Sequence, residues 1–397
     1  MNDIVKKYFN LFPFPHSIDI KDLINKGLRE PYDIVDEKKH LFPDDIDKKI
    51  DNVLIVGCGF NQALYHAIRN PDINFTGVDF SNPVKEHINR YCDENKVENL
   101  SFIYDDYISL NNIKFDLIYA TDVINYSKTP KDSLFHLQSL LNDNGALILS
   151  LPSSYYYDSI ELIRKNFDFL NLSFESNDDI DFAFNLVQGL LSVHPSKVNI
   201  HDLKTREIIN KFDFIYRFMT PINNHYNIHN LFDLISSCDL FFQNWNYNSD
   251  YSPKALFWDE NVNLPGIIDK FDNKDLLQTW DTVLNIKGPF STSQKLTFSL
   301  RKKYNSNFMK DIINHDDSII YIRPNHIINK NPTMTSTFFA RTNYKRTLKE
   351  DEATILSLLS KPISKNKLLE LTDYSLVELD DILDRLWAYS AISYYKE

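Results

Sequence analysis

The residues best suited to chemistry lie early in the chain. Val53-Leu54-Ile55-Val56 is a β-branched apolar run that ends in Gly57-Cys58-Gly59-Phe60-Asn61 and passes into a helical pattern at Gln62. Gly57 and Gly59 have no Cβ, so the backbone there can turn through positive φ and lie directly against a ligand at a helix N-terminus. Two of the chain's eight glycines stand in this turn. Phe75-Thr76-Gly77-Val78-Asp79 then reads as a second strand ending in a carboxylate. It lies about twenty residues on, where a nucleoside-binding βαβ unit places its acceptor for ribose hydroxyls. The third glycine that a pyrophosphate cradle requires is Gln62 here, so a nucleoside-containing ligand is expected and a dinucleotide such as NAD is not.

The surrounding pattern supplies the elements that must hold these groups. Asn82 as cap and Pro83 at the first helical position open a helix with Val84, Ile88 and Tyr91 on its buried face. Asn99 to Asp106 reads as a third strand, Phe115-Asp116-Leu117-Ile118-Tyr119-Ala120 as a fourth, and Leu140 to Ser150 as a helix end, a turn and a fifth strand. The helix Gln62 to Arg69 sets Ala63 and Ala67 against the sheet and turns His66 away, and Leu134, Leu137, Leu140 and Leu141 form a further apolar stripe. Strands alternating with helices of this length predict a parallel sheet covered on both faces, with ligands at the carboxyl ends of the strands. Gly57, Asp79, Asp106 and Thr121 fall there.

Taken together from Asp51 to Pro152, these motifs resemble class I S-adenosylmethionine-dependent methyltransferases. The Gly-x-Gly turn, the acid closing the second strand, the Phe115-Asp116-Leu117-Ile118 strand and the Gly145 turn before the fifth strand carry the likeness. Three positions depart from the family pattern: Asn61 stands for the third motif glycine, Ile55 for an acid in the first strand, and Asn125-Tyr126 for a His-His pair. Asn tolerates the left-handed region, so Asn61 is expected to make the turn. The resemblance implies an α/β fold with a seven-stranded doubly wound, Rossmann-like sheet in the order 3-2-1-4-5-7-6, strand 7 antiparallel. It implies S-adenosyl-L-methionine as cofactor. It also implies that Gly57, Cys58, Gly59, Asn61, Asp79, Phe80, Asp106, Tyr107 and Thr121 bind it.

The methyl donor is already activated, so alignment of donor and acceptor can suffice and no fixed catalytic residue is required. The Asn/Asp-Pro-Pro-aromatic motif of amino-group nucleic-acid methyltransferases is absent after the fourth strand, where Ala120-Thr121-Asp122-Val123 stands. Asp122, Asn125 and Tyr126 are the candidates to orient an acceptor or take its proton, and Asp122 can equally cap the next helix. The acceptor, a small molecule or a protein, is not named by the sequence. A catalytically silent S-adenosylmethionine-binding interaction protein and an RNA methyltransferase are the alternative readings.

Length and composition frame the rest. The 397 residues, 43% hydrophobic and 14% aromatic, suffice for two or three domains with real cores. Forty-three basic against 55 acidic residues give a net charge of −12, which argues against general binding of nucleic acid or anionic membranes. Three scattered cysteines, no secretory segment and no long apolar run lead us to expect a soluble cytoplasmic protein.

The resemblance implies that residues 1–50 form an N-terminal arm over the donor site, the alternative being an arm stapled to the domain surface; in it Tyr8 to Pro15 is an aromatic run that proline should keep extended. The resemblance implies that residues 51–302 are the methyltransferase domain and that a helical insertion at 153–225 covers the acceptor, which makes Tyr155, Tyr156 and His194 candidates by position; the alternative is that these aromatics only build a small helical core. His225 and His229 have metal-pair spacing, but Asn227 should cap a helix between them, so no metal is expected. Of 246–288 only a helix near Asp275 to Leu284 can be assigned.

After a connecting segment at 303–346, residues 347–397 resemble a winged-helix domain, with capping boxes at Thr347-Leu348-Lys349-Glu350 and Ser375-Leu376-Val377-Glu378. The helix that would enter a DNA groove carries Glu378, Asp380, Asp381 and Asp384, so a protein contact, such as a homodimer through the apolar positions Leu376, Leu379, Ile382, Leu383 and Leu386, is expected instead of DNA.

Overall fold

The computed structural model describes residues 3–14, 19–26, 34–193, 210–256, 266–287, 294–302, 318–323, 326–331, 334–339 and 345–396. Three helices, α1 (Asp3–Leu11), α2 (Ile20–Lys26) and α3 (Ile34–Leu41), precede an alternating series. The series runs β1 (Asn52–Val56), α4 (Gln62–Arg69), β2 (Asn74–Asp79), α5 (Asn82–Asn95), β3 (Leu100–Tyr104), β4 (Phe115–Thr121), α6 (Pro130–Leu140) and β5 (Leu141–Pro152). Helices α7 (Ser154–Phe169), α8 (Asn177–Val193) and α9 (Lys211–Phe218) come next, then α10 (Ile228–Ser236), β6 (Phe241–Trp245), α11 (Leu276–Lys287) and β7 (Lys295–Arg301). The described remainder comprises β8 (Ile319–Ile322), β9 (His326–Asn331), β10 (Met334–Phe339), β11 (Lys345–Thr347), α12 (Glu350–Leu358), β12 (Ile363–Ser364), α13 (Lys365–Glu370), α14 (Leu376–Ala388) and β13 (Ile392–Tyr395).

The main sheet has seven strands in the order β3-β2-β1-β4-β5-β7-β6, as the resemblance implied. Strands β2, β1 and β4 pair in parallel, whereas β6 and β7 are antiparallel. Helices cover both faces of the parallel part, so β1 and β4 are apolar along most of their length: Val53 to Val56 and Leu117 to Ala120 are buried. No helix among the described residues is long and apolar enough to cross a membrane.

The chain divides into two compact units. One comprises Met1–Gly27, Ile50–Asp239 and Leu284–Leu296. The other comprises Leu28–Lys49, Leu240–Val283 and Thr297–Glu397. In the first unit α7, α8 and α9 form a small aromatic core of their own, where Tyr157, Phe167, Phe214 and Phe218 meet Tyr8 of α1.

In the second unit β12, β8 and β13 form a three-stranded sheet, and α12, α13 and α14 enclose Ile320, Leu348, Ile355, Leu368, Leu379 and Ile382. Its interior also holds an ion pair, Arg323 Nη2 to Glu37 Oε2 at 2.9 Å, with Arg323 Nη1 donating to Asn246 O at 2.7 Å. His40 lies beside it with ring nitrogens 3.1 Å from Ser393 Oγ and 3.2 Å from Trp245 O, and burial lowers its pKa to about 3.

Several local expectations are corrected. Tyr8 to Leu11 belongs to helix α1 and is not extended, because Pro13 and Pro15 act only on residues beside them while Val5 and Tyr8 share a buried face. His66 does not face away: it is wholly buried, stacked 6.2 Å from the Phe75 ring and tilted against that of Tyr119 at 4.8 Å. Residues 63 to 67 are all buried, so α4 has no solvent face there.

The cap of α5 is Ser81, and Asn82 is already helical, because Asn10 Oδ1 from α1 accepts the Asn82 amide at 2.9 Å and Asp79 Oδ1 accepts that of Ser81 at 2.9 Å. Thr347 ends strand β11. Helix α12 starts after Lys349, whose amide donates to Glu352 Oε2 at 3.1 Å, since buried Leu348 keeps the chain extended for two more residues. The capping box at Ser375 and Glu378 forms as predicted. Of the apolar positions of α14, Leu379, Ile382, Leu383 and Leu386 lie inside their own unit's core, leaving Leu376 and Val377 at the surface.

Candidate active site

At the end of β1 the chain turns on Gly57 (φ +59°) and Gly59 (φ +54°). A Cβ on Gly57 would stand 2.9 Å from Val123 Cγ2, so the turn admits no side chain there. The Gly57 and Cys58 amides donate to Val78 O at 2.8 and 3.3 Å, drawing the turn against the end of β2. Asn61 does not adopt the left-handed conformation expected of it. At φ −124° it is the N-cap of α4, since the two glycines already supply the positive φ that the turn needs.

Asp79 joins this turn to the next strand. Its Oδ2 accepts the Gly59 amide at 3.1 Å and its Oδ1 the Ser81 amide at 2.9 Å. Burial raises the carboxyl pKa to about 6 against these amides, which lower it. Cys58 is buried, and burial together with the Asp79 charge pushes its thiol well up, which rules it out as a ready nucleophile. After β3, Asp106 caps the 3-10 turn Tyr107–Ser109 by accepting the Ile108 amide at 3.2 Å, and Lys6 of α1 stands 3.9 Å from its Oδ2.

Phe80 is held from its backbone side. Asn10 Nδ2 donates to Phe80 O at 3.3 Å, Ser81 Oγ donates to Phe9 O at 3.3 Å, and the Phe9 and Phe80 rings lie 6.2 Å apart. The arm reaches the other side as well: Tyr8 Oη donates to Ile215 O at 2.9 Å, Phe9 meets Tyr126 at 4.9 Å, and Phe14 stacks on Tyr216 at 3.6 Å. One short helix thus touches both the segment after β2 and the insertion.

The catalytic candidates gather after β4. Asp122 has φ +52°, and its Oδ2 accepts from Tyr216 Oη at 2.9 Å and from Lys295 Nζ at 2.6 Å. It does not cap a helix. Tyr126 Oη donates to Tyr216 Oη at 3.1 Å, and Asn125 Nδ2 donates to Asn223 Oδ1 at 2.8 Å. Burial, with the Asp122 charge added, holds both phenols well above their ordinary pKa, so they remain O–H donors.

Tyr155 and Tyr156 have other partners. Tyr155 Oη accepts the Ile228 amide at 2.9 Å, and Tyr156 Oη accepts from Arg217 Nη1. His194 lies outside the described residues. His225 stacks on Tyr157 at 4.8 Å, and burial lowers its pKa to about 4. Asn227 caps α10 between the two histidines, and the described residues contain no metal-binding cluster. Sequence reasoning missed Tyr216, Lys295 and Asn10, which reach the site from remote positions that no local pattern marks.

A seven-stranded sheet in this order, with a glycine turn after the first strand and a carboxylate closing the second, is the arrangement of the class I methyltransferase fold. Comparison with known proteins agrees. The methyltransferase domain family matches residues 54–147. Malonyl-[acyl-carrier protein] O-methyltransferase 2 of Ilyobacter polytropus is 23% identical over 194 residues, spanning 47% of this chain and 69% of that protein. The structure of PKMT2 from Rickettsia typhi in complex with AdoHcy is similar with a TM-score of 0.59 at 17% identity, covering 93% of this chain and 76% of that one. A second structure of PKMT2 from the same organism gives 0.58 at 16% identity, over 87% and 72%.

Proposed function

We propose that this protein transfers the methyl group of S-adenosylmethionine to a small-molecule or protein acceptor. In this reading the donor lies across the carboxyl ends of β1, β2 and β3. The backbone of Gly57, Cys58 and Gly59 approaches it at the start of α4, where Asn61 is the cap. The Asp79 carboxylate accepts the ribose hydroxyls, and Phe80, Asp106, Tyr107 and Thr121 border the rest.

The observation that carries the reading is the Gly59 to Asp79 hydrogen bond. It fixes a carboxylate beside a turn that a Cβ would fill, while two amide donors leave acceptor capacity on its oxygens for hydroxyls. S-adenosylmethionine brings a methyl group already activated on a sulfonium. The chain's own task is to hold the donor, keep its glycine turn closed and present an acceptor in line.

Calorimetry on the full chain tests the donor. S-adenosylmethionine and S-adenosylhomocysteine should bind and NAD should not; binding of NAD with neither sulfur ligand would refute the proposal. Transfer is tested by following tritium from the donor methyl into added acceptors.

A further inference from the structure

One stretch of this acidic chain carries the opposite charge. Between Asp317 and Glu350 there is no Asp or Glu, while Arg323, Lys330, Arg341, Lys345, Arg346 and Lys349 all fall there. At the chain's own frequency of 55 acids in 397 residues, about four would stand in that length. Arg323 is paired with Glu37 inside the second unit, and Arg341 lies outside the described residues. The others are Lys330, Lys345, Arg346 and Lys349.

The backbone gathers three of these positions in one sheet. Strands β9, β10 and β11 form an antiparallel sheet in the order β11-β10-β9. Its register sets Lys330 opposite Thr335, Arg346 opposite Thr337 and Lys345 opposite Phe338. Opposite residues share a face and successive residues alternate, so Lys330 and Arg346 stand on one face and Lys345 on the other. As an outer strand paired with β10, β11 thus carries a cation position on each face within three residues. Exposed Lys349 follows two residues after its end. The next acids along the chain include Asp351 and Glu352 of α12, and both already pair with Arg385.

We infer that the outer edge of β11 binds an extended acidic segment of a partner protein, which joins the sheet as a fourth strand. An outer strand presents main-chain N–H and C=O groups that a further strand can pair with. Strand addition takes its affinity from those groups and its specificity from side chains that alternate between the faces. Adjacent acids on the partner therefore meet Arg346 on one face and Lys345 on the other. The same cations disfavour a second copy of β11, so the edge resists self-pairing and accepts opposite charge. None of this depends on the methyl donor.

Single-stranded nucleic acid is the competing anionic partner. On a sheet it lies across one face, with its bases stacked on aromatic side chains and its phosphates beside cations. Here the cation positions are divided between the two faces. A nucleic acid on either face leaves part of the charge unused, whereas a strand added at the edge meets both.

Calorimetry on the full chain at low salt tests the partner. The probes are the peptide acetyl-Thr-Glu-Glu-Thr-Glu-Glu-Thr-amide, its counterparts with lysine for glutamate and with proline for threonine, and a single-stranded uridine octanucleotide. The acidic threonine peptide should bind and the lysine peptide should not. The proline peptide keeps the charge but lacks backbone donors, and should bind about tenfold more weakly. No binding of the acidic peptide, binding of the lysine peptide, equal binding of the threonine and proline peptides, or tighter binding of the octanucleotide overturns the inference.

On the unaltered protein, amide hydrogen exchange at residues 345–347 should slow when the acidic threonine peptide is added. Lys345→Glu with Arg346→Glu should lower its affinity about tenfold, because two exposed attractions become repulsions, and Lys345→Arg with Arg346→Lys should keep it within about twofold. Unchanged melting temperatures report that the variants fold. No protection of β11, or full affinity in the folded charge-reversed variant, also overturns the inference. Should that variant not fold, the exchange measurement on the unaltered protein decides.

Discussion

The amide of Gly59 donates to Asp79 Oδ2 over 3.1 Å, so the glycine turn after β1 and the acid that closes β2 act as one piece. Removing the carboxylate therefore takes away both an acceptor for ribose hydroxyls and the anchor of the turn. Asp79→Ala should weaken S-adenosylhomocysteine binding by about 1.5–3 kcal/mol, measured by calorimetry. An unchanged affinity would place the ribose elsewhere.

The same group sets a pH dependence. Its carboxyl is raised to about 6 by burial, and hydroxyl donors from the ligand favour its ionised form. Donor affinity should be flat above neutrality and fall as pH drops through about 6, approaching tenfold per unit below it. In Asp79→Asn that slope should vanish. For the unliganded protein the sign is opposite. A carboxyl whose folded pKa lies above its unfolded value of 3.8 costs stability as pH rises from 3.8 to about 6.

Gly57→Ala combines two penalties, a left-handed φ of +59° and a Cβ 2.9 Å from Val123 Cγ2. The conformational part alone is about 1–2 kcal/mol. Urea melts should show the variant destabilised by more than that. Adding Val123→Ala should recover only the steric share beyond the cost of Val123→Ala alone. Full recovery would mean that the backbone carries no strain.

Buried groups in the second unit predict acid sensitivity. His40 has a folded pKa near 3 against an ordinary 6.5, so the unfolded chain binds a proton that the folded chain refuses. Stability is intact above pH 6.5 and declines as pH falls towards 3, with a slope of up to about 1.4 kcal/mol per unit from this residue. His40→Asn should flatten denaturant midpoints over that range.

Breaking the neighbouring ion pair should be costly at any pH in that window. Arg323→Met leaves Glu37 buried without its cation and is expected to destabilise by about 3–5 kcal/mol, whereas replacing both partners together with apolar residues should cost less. Equal losses in the single and double variants would show that the charge left behind is not the cause.

The acids of α14 already have partners in their own unit. Asp380 pairs with Lys365 at 2.5 Å, Asp384 with Lys254 at 2.6 Å, and Arg385 with Asp351, Glu352 and Asp381. The helix therefore offers no free cation row for phosphate. Full-chain titrations with duplex DNA at rising salt should show no steep salt-dependent binding.

The parallel strands, their glycine turn and the acids at their ends are written in local chemistry, and the resemblance to class I methyltransferases supplied the order of the strands. β-Branched runs can only pair, glycine alone enters the turn, and period and spacing write both into the chain. Position along the chain likewise marked Asp122, Asn125 and Tyr126. Tertiary structure alone decided what these residues touch. Tyr216 and Lys295 come 94 and 173 residues after Asp122, and Asn10 accepts the first amide of a helix that starts 72 residues later; no periodicity records such partners. His66, whose polarity suggested solvent, was buried because neighbouring elements covered every side of its helix. The apolar stripe of α14 looked like a docking face until its own unit was seen to fill it. A sequence states which faces must be buried, and only the packed chain shows which partner buries them.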